Sequence, residues 1–343
     1  MNRRTMLVCA LALGAGLGPV ARAQNVTLRL HQMLPPQAAI PAKAITPWIE
    51  KVEAESDGRI KVEHYPSMQL GGAPPSLYDQ ARDGVVDMIW TVLGYTPGRY
   101  PKSEAFELPF FVTTGEATSR AFHEYATRNA MDEFPGVKVI ALHTHGPGLL
   151  HVRGQGVHSL DDMQGLKLRG PTRMITGLME TLGATAIGMP VPAVPESLSK
   201  GVIDGVAIPW EVTLPLKISE LTDTHTEFSG SHGLYTATFI FAMNQASYDA
   251  LPDDLKQVID DNSGPDVAAA FGRAMDETDV VGRQKALDAG NEIIVLDETE
   301  TKRWQEASAV VVDEWIAEMD AKGIDGRRLV EEAQTLIAQY SGE

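Results

Sequence analysis

Cysteine is almost absent from this chain. The single one, Cys9, lies within the first ten residues, so the body of the protein holds no disulfide, no thiol nucleophile and no cysteine-ligated metal. Long hydrophobic runs are missing too: nothing beyond the N-terminus is long enough to cross a bilayer as a helix. Basic residues are in deficit, 29 Lys and Arg against 46 Asp and Glu, for a formal net charge of −17 at pH 7. That balance argues against nucleic acid or an anionic membrane surface as partner. It also repels small anions, so affinity for an anion must come from a local cation. No Gly-x-Ser-x-Gly elbow surrounds Ser231-His232, and nothing else supplies a nucleophile with its base. No phosphate-binding loop is found, because Gly14, Gly16 and Gly18 fall inside a leader.

The leader is read from Arg3-Arg4, the apolar run Leu7 to Leu17 and the small-x-small site Ala21-Arg22-Ala23. Together these predict a secretion signal over residues 1–23, with ordinary secretion favoured over twin-arginine export and delivery to the periplasm. About 320 residues remain, which suits two lobes better than one core.

Strands and helices alternate along the mature chain. Val26 to His31, Ile60 to Tyr65, Val86 to Trp90 and Lys138 to Leu142 read as strands. Lys43 to Ser56, Ser76 to Asp83 and Thr114 to Asn129 read as helices. Such alternation predicts an α/β protein with mostly parallel sheets flanked by helices. Ala81 to Asp87 is echoed by Leu198 to Asp204, each a helix end, a glycine stop and the start of a strand, which suggests two similarly built lobes sharing a cleft. Ser159 and Asp162 have capping-box spacing, and Thr172 to Leu182 carries an apolar stripe. Asp266 to Ala289 is helical without proline and long enough to bridge both lobes. Thr299 to Met319 and Gly326 to Tyr340 close the chain.

Arg169 ends a short strand formed by Leu166, Lys167 and Leu168 and stopped by Gly170-Pro171. Strand ends in open α/β sheets face the ligand crevice, and an arginine there can grip a carboxylate with two parallel hydrogen bonds. Around it stand Asp162 to Gly165 with Lys167 and Arg169, then Leu182-Gly183-Ala184 with Met189, then Gly201 with Asp204-Gly205. Earlier come Tyr65-Pro66-Ser67, Gln69-Leu70-Gly71, Gly84 to Asp87 and Leu108 to Phe111. Later come Asn244, Tyr248, Leu251-Pro252 and Leu255. This ordered set resembles the DctP-like solute-binding proteins of TRAP transporters over nearly the whole mature chain.

The resemblance implies a two-lobed periplasmic-binding-protein-like fold with a ligand cleft between the lobes. Lobe I is expected over 24–146 plus 235–275 and lobe II over 147–234 plus 276–343. It implies capture rather than catalysis, with Arg169 holding a ligand carboxylate, membrane transporter subunits as partners, a monomer, and no cofactor. Two positions depart from the family pattern. Ile208 stands where an asparagine often touches the ligand, and Leu149 where some sugar-acid binders carry a second arginine.

Cleft walls are expected from Met33, Trp90, Thr91 and Tyr95 in the first lobe, from Met189, Ile208 and Trp210 in the second, and from Tyr235 and Phe239 at a crossover. Such walls suit a flat, partly apolar acid of the benzoate or hydroxybenzoate type; short hydroxy or keto acids are the second choice. Two metal readings stand beside this one. Glu211 is a calcium or sodium option, as in keto-acid binders that the chain resembles. His143 and His145 alternate on one strand face and would serve a rival secreted metal-dependent hydrolase.

Overall fold

The computed structural model describes residues 25–342; the expected leader, with Cys9 inside it, lies outside them. Eleven strands form two sheets among the described residues. In chain order they are β1 (Val26–Gln32), β2 (Ile60–Tyr65), β3 (Met88–Val92), β4 (Val137–Thr144), β5 (Leu149–Val152), β6 (Lys167–Gly170), β7 (Thr185–Gly188), β8 (Gly205–Ile208), β9 (Thr224–Phe228), β10 (Thr238–Asn244) and β11 (Glu292–Leu296). The first sheet has the order β2-β1-β3-β10-β4 and the second the order β11-β9-β5-β8-β6-β7.

The two sheets are built alike. In the first, β1 pairs in parallel with β2 and β3, and β10 runs antiparallel between β3 and β4. In the second, β8, β6 and β7 are parallel, as are β9 and β11, while β5 runs against both β8 and β9. Every residue of β3 and β10 is buried, as expected of central strands covered by helices on both faces. This is the two-lobed α/β architecture that the alternating pattern predicts, with one reversed interior strand in each sheet.

The helices start where short polar side chains satisfy free backbone donors. Thr114 accepts from Ala117 N ahead of the helix Gly115–Asn129, and Thr172 accepts from Ile175 N ahead of Arg173–Thr181. Ser159 and Asp162 form the expected capping box, which satisfies two orphan N–H groups reciprocally. The helix Pro265–Asp288 has proline in its first turn and runs 24 residues, about 36 Å at the usual rise. The last helix, Gly326–Ser341, packs against Gly115–Asn129 beside the first sheet, while Glu298–Ala321 packs against Arg173–Thr181 beside the second.

The chain passes between the sheets from β4 to β5 and again from β9 to β10. The two passages touch: Gly148 N donates to Tyr235 O at 2.8 Å, an isolated antiparallel bridge. A Cβ on Gly148 would stand 2.3 Å from a ring carbon of Tyr235, so only glycine lets this passage approach the tyrosine.

Candidate functional site

A cavity lies between the sheets, the usual kind of place for a small-molecule site. Arg169 is its cationic group. β6 pairs with β7 and β8 so that Arg169 sits opposite Ile187 and Val206, and the strand ends one residue later. The side chain is 2% exposed. Its Nε donates to Met189 O at 2.9 Å and its Nη1 to Ala207 O at 3.0 Å. Both acceptors are neutral carbonyls, and no described carboxylate pairs with the guanidinium. A buried cation without a counter-ion is costly unless an anion arrives.

Two phenols stand beside it. The Tyr95 hydroxyl accepts from Val191 N at 2.9 Å, which leaves its proton to donate. Burial raises its pKa, with Arg169 opposing. The Tyr235 hydroxyl is buried with no partner; burial raises its pKa and Arg169 again opposes. One guanidinium and two phenol donors thus gather at one end of the cavity.

The wall is aromatic and apolar. Trp90 stacks on Phe239 with centroids 5.2 Å apart and planes 10° apart, and Phe239 stacks on His143 at 4.9 Å. Period-2 alternation selects the lining side chains: Trp90 and Val92 from β3 face the cavity, as does Phe239 from β10. Met33, Ile208 and Met275 add apolar surface.

Three of the expected wall residues lie elsewhere. Thr91 is on the opposite face of β3 from Trp90, its hydroxyl 3.4 Å from Pro74 O. Trp210 begins a helix and turns away from the cavity. Its ring packs edge-on to His151 at 4.9 Å and its Nε1 donates to Glu227 Oε1 at 2.8 Å. Met189 contributes only the carbonyl that holds Arg169; its side chain lines a separate outer cleft. Leu149 packs with Trp210 and Ala286 and does not line the cavity, whereas Ile208 does and offers it an apolar side chain.

The two histidines of the hydrolase reading are spent on the scaffold. His143 Nε2 accepts from Trp90 Nε1 at 2.7 Å. His145 Nε2 accepts from Ala237 N at 3.0 Å while its Nδ1 donates to Gly146 O at 2.5 Å. Burial lowers their pKa values to about 3 and about 4. A metal would need the Nε2 lone pairs that are already taken. Among the described residues no group of three or more His, Cys, Asp or Glu is placed to hold a metal ion.

Sequence reasoning missed Leu34, Pro171, Val191, Val212 and Met275 on the cavity. Val191 follows a Met-Pro pair that could have been read as a loop beside the strand end. Met275 arrives from a helix distant in sequence, with no local signal.

The two lobes are in contact across the cleft. Beyond the bond between Tyr95 and Val191, Arg173 Nε donates to Glu104 Oε1 at 2.5 Å. Two α/β lobes joined by crossing strands and a long helix, with a buried cation and two phenols in the cleft between them, have the form of a solute-binding protein. Residues 32–318 match the family described as bacterial extracellular solute-binding protein, family 7, and the chain belongs to it, the DctP-type solute-binding proteins of TRAP transporters. It is a family of periplasmic substrate-binding transport proteins rather than of enzymes, whose members bind small carboxylates and work with membrane subunits.

The chain is similar to a TRAP solute-binding protein from Rhodoferax ferrireducens T118 in complex with copurified benzoate. The TM-score is 0.91 and the identity 48%, covering 93% of this chain and 99% of that one. It is equally similar to a marine metagenome TRAP solute-binding protein specific for aromatic acid ligands, in complex with 3-hydroxybenzoate. There the TM-score is 0.91 and the identity 49%, over 92% and 99% of the two chains. The C4-dicarboxylate-binding periplasmic protein DctP of Rhodobacter capsulatus is 26% identical over 94% of this chain and 97% of its own.

Proposed function

We propose that this protein captures an aromatic monocarboxylate of the benzoate or hydroxybenzoate type and delivers it to a TRAP transporter. The observation that carries the reading is Arg169: a buried guanidinium without a counter-ion, fixed by two backbone carbonyls, at the end of a cavity walled by Trp90 and Phe239. The carboxylate takes the guanidinium and the two tyrosine hydroxyls; the ring lies along the aromatic wall. The likeness to proteins that bind benzoate and 3-hydroxybenzoate supports the same class. The contacts between Tyr95 and Val191 and between Glu104 and Arg173 join the lobes over the ligand, so binding shifts the population toward the closed form.

The mature chain begins after Ala23, acts as a monomer in the periplasm, and divides near residues 146, 235 and 275, with the last helix returning to the first lobe. A thermal-shift screen of the mature protein against carboxylic acids tests the reading, because a ligand that binds only the folded state raises the melting temperature. A rise with benzoate-type acids is expected. A rise confined to sugar acids or C4-dicarboxylates would overturn the ligand class.

A further inference from the structure

Glu211 is a cavity-lining carboxyl that the clamp around Arg169 does not use. It sits in the first turn of the helix Trp210–Leu216, is 3% exposed, and faces the cavity. Its backbone N donates to Asp279 Oδ1 at 2.6 Å. Its side chain, by contrast, has no hydrogen-bond partner among the described residues, and Oε2 is fully enclosed. Buried polar atoms in folded proteins are almost always satisfied, so one left open in a binding cavity points to a group on the ligand.

Arg169 is held by the Met189 and Ala207 carbonyls and Tyr95 by Val191 N, whereas Glu211 is anchored to Asp279 of the helix Pro265–Asp288. Burial, with Asp279 adding to it, pushes the Glu211 pKa well above the ordinary carboxylate range. An ionised Glu211 would repel an anionic ligand. A neutral carboxyl can both accept from and donate to a hydroxyl group.

We propose that Glu211 is a specificity-determining residue of the cavity, its unpartnered carboxyl forming a hydrogen bond with a hydroxyl on the aromatic ring. This rests on the aromatic-acid reading above and narrows it from aromatic acids in general to ring-hydroxylated ones. Benzoate leaves the buried carboxyl unpaired; 3- or 4-hydroxybenzoate satisfies it. A site built to hydrogen-bond a ligand hydroxyl discriminates against the analogue that lacks it.

Calorimetric titration of the mature wild type, Glu211→Gln and Glu211→Leu with benzoate and with 2-, 3- and 4-hydroxybenzoate tests the proposal. In the wild type the 3- or the 4-hydroxy acid binds about tenfold or more tighter than benzoate, as one buried hydrogen bond allows. The 2-hydroxy acid, whose hydroxyl lies beside its own carboxylate, gains nothing. Glu211→Leu brings the ratio to one or below, and Glu211→Gln restores most of it. Because the readout is a ratio within one variant, a general loss of stability does not mimic it. Equal loss of all four ligands in Glu211→Leu overturns the proposal. So does a wild-type benzoate affinity that collapses with chelator or on replacing sodium, which would make Glu211 a cation ligand. If the wild type binds none of the four acids, the aromatic reading itself falls; if it binds them without preference, only the role of Glu211 does.

Discussion

Asp276 and Asp279, neighbours on one face of the bridging helix, cap two helices that belong to different lobes. Asp276 accepts from Gly115 N at 2.7 Å and Glu116 N at 2.9 Å, at the start of Gly115–Asn129. Asp279 accepts from Glu211 N at 2.6 Å, at the start of Trp210–Leu216. The helix therefore holds each lobe by a helix terminus, where backbone donors are free. Burial raises the Asp279 pKa to about 8.

Removing the Asp279 acceptor should loosen the second lobe. Asp279→Ala is expected to lower stability by about 1–2 kcal/mol, the usual cost of a lost N-cap. Asp279→Asn keeps a carbonyl acceptor and should cost much less. Urea unfolding of the two variants decides this; equal losses would rule out the capping role.

Arg169→Ala should weaken binding of every carboxylate ligand by about 2–5 kcal/mol, part of it from leaving the ligand anion buried and unpaired. Arg169→Lys should not rescue it, because an ammonium cannot reproduce the fork that the Met189 and Ala207 carbonyls hold in place. Retention of wild-type affinity by the lysine variant, measured by calorimetry, would show that charge alone suffices.

The pair formed by Arg173 and Glu104 joins the lobes outside the cavity. Arg173→Ala leaves Glu104, 5% exposed, buried without its partner. The expected result is a smaller closed population and therefore a weaker apparent affinity by the same factor for all ligands. Small-angle scattering of the unliganded variant should show a larger radius of gyration. A change that differs between ligands would mean Arg173 acts on the ligand instead.

Stability should peak in mildly acidic solution. Burial depresses His123, His145 and His225 to about 4 and His143 to about 3, from an ordinary 6.5. Their contribution is complete above pH 6.5 and is lost as pH falls toward 4, because the unfolded chain takes up protons first. Burial raises Glu107 and Glu133 to about 7 and Asp279 to about 8. Their contribution is complete below about pH 4 and is lost as pH rises to 7–8. Melting temperatures across pH 4–8.5 should fall on both sides of a maximum near pH 5–6.5, and Asp279→Asn should flatten the alkaline side. A melting temperature that climbs steadily to pH 8 would contradict these shifts.

Much of this was legible in the sequence, and the rest was hidden for identifiable reasons. β2 begins and ends where its alternation says, and the long helices keep their expected bounds within two residues, because caps and glycine stops are local chemistry. β3 starts two residues later than Val86: the turn extends through Asp87, whose carboxylate accepts from Arg29 N at 2.9 Å and from the Ser247 hydroxyl at 2.8 Å. Strands of four or five residues such as β5, β7 and β8 carry too little pattern to be read. The strand-end position of Arg169 was readable because a strand end has a known direction. Trp210 opens a helix, where no alternation tells which way the ring points. Thr91 could have been excluded from its parity with Trp90 alone. The unsatisfied carboxyl of Glu211 required the packing around it.

The placement of β10 also governs the order in which this molecule can be completed. It is an interior strand of the first sheet, hydrogen-bonded on one side to β3 and on the other to β4, yet it lies nearly a hundred residues beyond β4 in the chain. A nascent chain ending before Thr238 leaves the edges of β3 and β4 unpaired and their apolar faces exposed. The N-terminal lobe is therefore not an independent cotranslational unit, and its core closes only after most of the second lobe has been made.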